Sequence, residues 1–192
     1  MVDTDSVEVE RLLTGDQLGC PVCSGVLAPW GHGRARQIRG SGGLTSWLQP
    51  RRSRCGDCRA THVLLPMSVL VRRADCVEVI GAALGLMATG AGHRKIGTVL
   101  NVAVGTVRGW LRRFASRAAS WRVVFTDLVV SLDPMSAPIR VHQSLVADVV
   151  EVIGLAAAAA ARRFGRKPPW QFVSGVSGGL LLGPVPPVVP AG

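Results

Sequence analysis

Two Cys-x-x-Cys pairs constrain this chain more than any other feature: Cys20-Pro21-Val22-Cys23 and, after 31 intervening residues, Cys55-Gly56-Asp57-Cys58. Four thiolates arriving in two such knuckles can converge tetrahedrally on one Zn²⁺ at about 2.3 Å, the arrangement of a closed structural site. The gap exceeds the roughly 15 to 20 residues usual between knuckles, so the intervening chain must carry structure of its own. Residues 26–30, 35–39 and 61–65 have strand-like composition, and Gly40-Ser41-Gly42-Gly43 supplies a flexible turn. These features predict a zinc ribbon, in which two knuckles clip a small three-stranded sheet that would bury too little surface to fold without metal.

Two other readings of the cysteines stay open. A redox pair of the thioredoxin type needs a βαβ context, whereas these pairs sit among Gly, Pro and Arg. Unligated cysteines brought near each other by chance are the other. His62, four residues after Cys58, is a spare ligand type, but four cysteines already complete a tetrahedral shell. His32 reads as a polar loop residue and Cys76 as a small core residue on the following helix.

Length and composition bound the rest. The chain has 192 residues, room for one compact domain or two or three small modules. With 48% hydrophobic and 18% charged residues it can build packed cores, so it is not a disordered basic tail. Aromatic residues make up 5% and tyrosine is absent, which argues against a stacking platform for single strands. The acidic start MVDTDSVEVERLL lacks a basic region followed by an apolar one, so no secretory signal is expected. The Ala-rich residues 152–161, bounded by Glu151 and Arg162, are too short to cross a bilayer. The expectation is a soluble cytoplasmic protein without a membrane partner, in a reducing compartment where paired cysteines favour metal over disulfides.

The net charge of +10 is unevenly spread. Residues 1–28 carry −4 and residues 123–161 carry −3, whereas residues 29–73 carry +8, residues 74–122 carry +5 and residues 162–192 carry +4. Positive charge concentrated in this way is the footprint of a polyanion partner; a merely solvating basic surface is the alternative.

Residues 74–122 hold the second strong signal. Asp75 and Glu78 have capping-box spacing, and Val77, Ile80, Leu84 and Met87 recur at helical intervals until Thr89-Gly90-Ala91-Gly92. A short helix over residues 93–100 is expected with Ile96, Val99 and Leu100 inward, then a tight turn at Asn101 and Val102. In the next helix, over residues 103–114, Val107, Trp110, Leu111 and Phe114 form one apolar stripe. Three helices with a short middle one and a tight turn before the third predict a helix-turn-helix. Its third helix would present Gly105, Thr106, Arg108, Gly109 and Arg112 to the major groove of double-stranded DNA, with Arg113 toward the flank. Arg108 and Arg112, one turn apart, point the same way. His93, Arg94 and Lys95 are expected to meet phosphates, as are Arg51 and Arg52 of the ribbon. An ordinary three-helix bundle with a charged face is the alternative.

The order CPVC, a basic stretch, RCGDCRATHVLLP, then EVIGAAL and HRKIGTVLNVAVGTVRGWLRRF resembles uncharacterised zinc-finger and helix-turn-helix proteins of high-GC bacteria. Those are similar in turn to the N-terminal DNA-binding part of insertion-sequence transposases. The resemblance covers about residues 18–118 and implies DNA binding and mobile-element ancestry. A complete transposase would carry a ribonuclease-H-like domain next. After residue 118 the acids are Asp127, Asp133, Asp148 and Glu151, set in helical sequence without alternating strands to hold a metal-binding triad. No nucleophile with a paired base stands out, so an enzyme is not expected.

Trp121, Phe125, Leu128, Val129 and Leu132 fall on one helical face. With no Pro or Gly between Trp110 and Asp133, that helix is expected to continue from the recognition helix. Asp133-Pro134 and Pro138 break it, and Leu145, Val149, Val152, Ile153 and Ala156 begin a second apolar face. This helical hairpin is either core support or the contact of a homodimer. Trp170 and Phe172 are placed to tuck back onto it, and Gly183 to Gly192, with four prolines, is expected to be disordered. The predicted fold is mainly α with a small β zinc ribbon. Its parts are an acidic N-terminal arm (1–17), the ribbon (18–73), the helix-turn-helix (74–118), the hairpin (119–167) and a Pro/Gly-rich tail (168–192). The functional expectation is sequence-specific duplex binding by a transcriptional regulator or a domesticated transposase fragment, associated with the nucleoid. A protein-binding adaptor with incidental basic charge is the competing class.

Overall fold

The computed structural model describes residues 6–136 and 138–183, a mixed fold with two apolar clusters. Helix α1 (Ser6–Thr14) precedes strands β1 (Leu27–His32), β2 (Arg36–Arg39), β3 (Thr45–Leu48), β4 (Arg51–Cys55) and β5 (Thr61–Leu64). The remaining helices are α2 (Val77–Ala88), α3 (His93–Leu100), α4 (Val104–Ala115), α5 (Ala118–Leu132), α6 (Leu145–Phe164) and α7 (Pro169–Val176).

The three-stranded antiparallel sheet has the order β1-β4-β5. Its central strand, Arg-Arg-Ser-Arg-Cys, has no strand-like composition, yet Ser53 and Cys55 alternate inward while the arginines stay partly exposed. Leu27 lies opposite Cys55, and Arg52 opposite Val63. Strand β2, expected among the three, instead pairs with β3 in a separate hairpin around the Gly-rich turn. Helix α1 caps the smaller cluster through Val9 and Leu13, beside Cys20, Leu27, Cys55 and Leu64. The acidic arm therefore contains an amphipathic helix, which its composition alone does not signal.

The larger cluster gathers α2 to α7. Helix α2 is apolar around most of its circumference, with Val77, Val79, Ile80, Gly81, Ala83 and Leu84 buried, so neighbours pack on several sides. The Asp75–Glu78 capping box does not form. The N-cap is Cys76, without a side-chain cap bond, because the Asp75 carboxylate, 3% exposed, pairs with Arg39 of the β hairpin at 2.8 Å. The Arg39 backbone also accepts from Cys76 N and donates to Ala74, which ties the hairpin to the start of α2.

Helix α3 buries Ile96 as expected, but Val99 is 60% exposed: the short helix turns only a narrow stripe inward. The turn to α4 is made by Asn101 in the left-handed region (φ 51°, ψ 47°), with Val102 N donating to Gly97 O at 2.9 Å. A Cβ at Gly97 would lie 2.9 Å from the carbonyl oxygen of Val102, so glycine permits the close approach.

Helices α4 and α5 do not form one continuous rod. The chain bends at Ser116 and Arg117, where Arg117 (φ −124°, ψ 3°) leaves helical geometry and its guanidinium reaches the Leu180 and Gly183 carbonyls. Trp121, Phe125 and Val129 of α5 then pack with Val149, Val152, Ile153 and Ala156 of α6, while Leu145 is exposed and Val146 takes its place inside. Ser144 caps α6 by accepting from Ala147 N, and Gly165 (φ 87°) ends it. Trp170 and Phe172 do return to the core: α7 starts with proline at its first position, and the Trp170 ring lies where a Cβ on Gly81 would sit. Leu181 and Leu182, expected to belong to a tail, are buried. Apart from Gly183, the segment expected to be disordered lies outside the described residues.

Candidate metal centre and the exposed face of α4

The two cysteine knuckles have matching backbones. Cys20 N donates to Gly25 O at 2.7 Å and Cys55 N donates to Ala60 O at 2.9 Å, the same five-residue span in each. The residue after each second cysteine is left-handed, Ser24 at φ 61° and Arg59 at φ 63°. Gly56 N donates to Val26 O, so the second knuckle is bonded to the strand leaving the first. This local geometry turns all four sulfurs toward one point, every pair within 4.8 Å.

A tetrahedron with metal–sulfur bonds of about 2.3 Å has sulfur–sulfur edges of about 3.8 Å. Cys20 Sγ lies 3.7 Å from Cys58 Sγ, and Cys23 Sγ lies 3.5 Å from Cys55 Sγ. The donor set fits a metal ion that prefers soft ligands in closed four-fold coordination. In each knuckle the first cysteine is buried and the second exposed. Val22 N donates to Cys20 Sγ at 3.4 Å, and His62 Nε2 on β5 is 3.4 Å from the same sulfur. His62 is thus placed as a hydrogen-bond partner of a ligand and not as a fifth ligand.

The electrostatics point the same way. Burial raises the Cys55 thiol, but the amides of Cys58 and Asp57 and the thiols of Cys23 and Cys58 outweigh it and bring the group down to about 7. At Cys58 the Ala60 amide favours the thiolate, yet the thiols of Cys23, Cys55 and Cys20 together with burial push the group up to about 12. Of these two thiols, Cys55 gives up its proton the more readily.

On α4, Val107, Trp110, Leu111 and Phe114 are buried in the large cluster, while Gly105, Arg108, Arg112 and Arg113 are exposed and Thr106 and Gly109 are half-buried. Arg94 and Lys95 are exposed on α3, and His93 is half-buried. Arg113 curls back so that Nη1 donates to Gly109 O at 3.1 Å. Arg51 is not a free cation. Its guanidinium pairs with Glu10 of α1 at 2.5 Å and donates to Gly31 O at 2.6 Å, so it serves to dock α1 on the sheet. Arg52 is half-buried on the central strand. Arg54 stacks 4.6 Å over the Trp30 ring, a contact that only the pairing of β1 with β4 reveals. Sequence reasoning also passed over Arg72, Arg73 and Arg117, which the fold brings together with Arg113 around one cavity.

A family model described as a domain of unknown function (DUF6431) matches residues 20–95. The match starts at the first metal-site cysteine, takes in all four, both sheets and α2, and stops inside α3, short of α4. Nothing among curated proteins or solved structures matches the chain. No helix among the described residues is long and apolar enough to cross a membrane.

Proposed function

We propose that this chain is a double-stranded DNA-binding protein in which a Zn²⁺-clipped ribbon and a helix-turn-helix act together. The observation that carries this reading is the two-sidedness of α4. Its apolar stripe is buried on α2, α3 and the hairpin, and its other side offers Arg108 and Arg112 one turn apart, flanked by the small residue Gly105. Arg94 and Lys95 at the amino end of α3 supply phosphate contacts beside it. Zinc is the natural occupant of four thiolates at these spacings, and its role is structural, because four protein ligands leave no open position for substrate.

The ancestry proposed is a transposase DNA-binding segment serving as a regulator at the nucleoid. A homodimer through the α5–α6 hairpin would have to use the outer face of α5, where Val123 and Val130 are exposed with Asp127 between them, since the hairpin's main apolar face is taken up by the core. Selection of bound fragments from a random duplex pool, followed by sequencing, tests the reading. A recovered motif of a few base pairs supports it, and two copies spaced about one helical turn apart would support the dimer. A pool that stays random through repeated rounds refutes sequence-specific binding.

A further inference from the structure

Four arginines line one open cavity of about 850 Å³. Arg72 and Arg73 come from the segment before α2, Arg113 from the last turn of α4 and Arg117 from the bend before α5, and Ser116 and Ser120 also line the cavity. No carboxylate lines this cavity among the described residues. The nearest acids along the chain are committed elsewhere, Asp75 to Arg39 and Glu78 to Gln171.

The arginines use part of their donor capacity on main-chain carbonyls. Arg73 donates to Arg72 O and to Leu182 O, and Arg117 donates to the Leu180 and Gly183 carbonyls. Carbonyl dipoles satisfy hydrogen bonds of Arg73, but they carry no net charge to set against its cation. Arg73 Nε is buried and has no hydrogen-bond partner among the described residues. Arg72 is held in the left-handed region at φ 59°, where a side chain of its kind is rarely found and where strain often marks a functional position. Burial and the charge of Arg113 both work against the Arg73 cation, and burial works against that of Arg117. An anion entering the cavity would relieve each of these at once.

We propose that the cavity lined by Arg72, Arg73, Arg113 and Arg117 is a binding site for a phosphate-bearing anion. Phosphate suits it better than a carboxylate because the arginines come from different elements, and a phosphate offers oxygens in several directions. The cavity shares Arg113 with the DNA reading, but Arg108 and Arg112 are not among its residues. The phosphate can come from a free phosphorylated small molecule or from a nucleic-acid backbone, because the cavity opens at the carboxyl end of α4.

Calorimetric titration of the full zinc-loaded chain with inorganic phosphate, at ionic strength held constant with chloride, tests it. Saturable binding at about one per chain is expected, with Kd about 1 mM or tighter. Arg72→Ala and Arg113→Gln should each weaken it by about tenfold or more with helical content unchanged. Arg72 is exposed and makes no side-chain bond among the described residues, so its replacement leaves the fold intact. Failure of phosphate to bind beyond the chloride control, or wild-type binding by both variants, overturns the proposal. Repeating the titration in the presence of saturating duplex separates the sources. Persistent phosphate binding assigns a small-molecule site, and displacement with uniformly weaker duplex binding by Arg72→Ala assigns a backbone phosphate.

Discussion

Replacing Cys55 with serine removes one of four thiolates from the most buried corner of the smaller cluster, where Cys55 is 0% exposed. The four aliphatic side chains there, Val9, Leu13, Leu27 and Leu64, contribute about 1.5 to 3 kcal/mol each, or about 6 to 12 kcal/mol together. A structural Zn²⁺ in a site of this kind contributes about 10 to 16 kcal/mol at neutral pH. The metal therefore outweighs or equals the whole apolar cluster, and Cys55→Ser should leave β1, β4, β5 and α1 unfolded. The helices should persist, because Trp121, Phe125, Val152 and their neighbours form a cluster that shares no residue with the smaller one. Hydrogen exchange read by mass spectrometry distinguishes the two parts. The prediction is rapid exchange over α1, β1, β4 and β5 and retained protection in α5 and α6, for the variant and for wild type treated with chelator. Protected strands in the variant would show that apolar packing alone holds the ribbon, and the metal argument would fail.

Arg108→Ala should cost about 1 to 3 kcal/mol on a selected duplex and relax discrimination at the base it reads, with little change on random duplex; equal losses on both would reduce Arg108 to a phosphate contact. Arg51→Ala should lower stability by about 1 kcal/mol through loss of the Glu10 pair and the Gly31 bond, and leave duplex affinity nearly unchanged. A large affinity loss in a fully stable Arg51 variant would restore it as a DNA contact. Gly97→Ala places a methyl 2.9 Å from the Val102 carbonyl and should cost about 1 to 3 kcal/mol, a drop in Tm of about 2 to 4 °C per kcal/mol. An unchanged Tm would mean that the turn before α4 can open without penalty.

Features written in local pattern were legible in the sequence. The cysteine spacing placed the metal-site residues together, and the 3.6-residue period placed α2, the stripe of α4 and the hairpin of α5 and α6. What was missed depends on partners distant along the chain. Asp75 looks like a helix cap locally, but Arg39, 36 positions earlier, takes its carboxylate. Nothing between Trp110 and Asp133 signals a break, and the bend at Arg117 coincides with its side chain bonding to carbonyls more than 60 positions later. Strand β4 is Arg-rich, so composition hid an alternation of Ser53 and Cys55 that the second knuckle makes meaningful. Helix α7 did carry a signal, Pro169 ahead of Trp170 and Val173, a proline at a first helical position followed by apolar residues three apart. Arg51, read from sequence as a phosphate contact, has its partner Glu10 on a helix that the acidic composition of the N-terminal segment conceals.

The most direct test of the central claim is the salt dependence of duplex binding by the zinc-loaded chain, followed by fluorescence anisotropy between about 50 and 200 mM monovalent salt. With Arg94, Lys95 and Arg112 each neutralising a phosphate, the plot of log K against log salt should fall with a slope of about −3, and Arg94→Ala should make it shallower by about one. Absence of duplex binding at 50 mM salt, with zinc and helical content intact, would contradict the account and leave the basic surface without a nucleic-acid role.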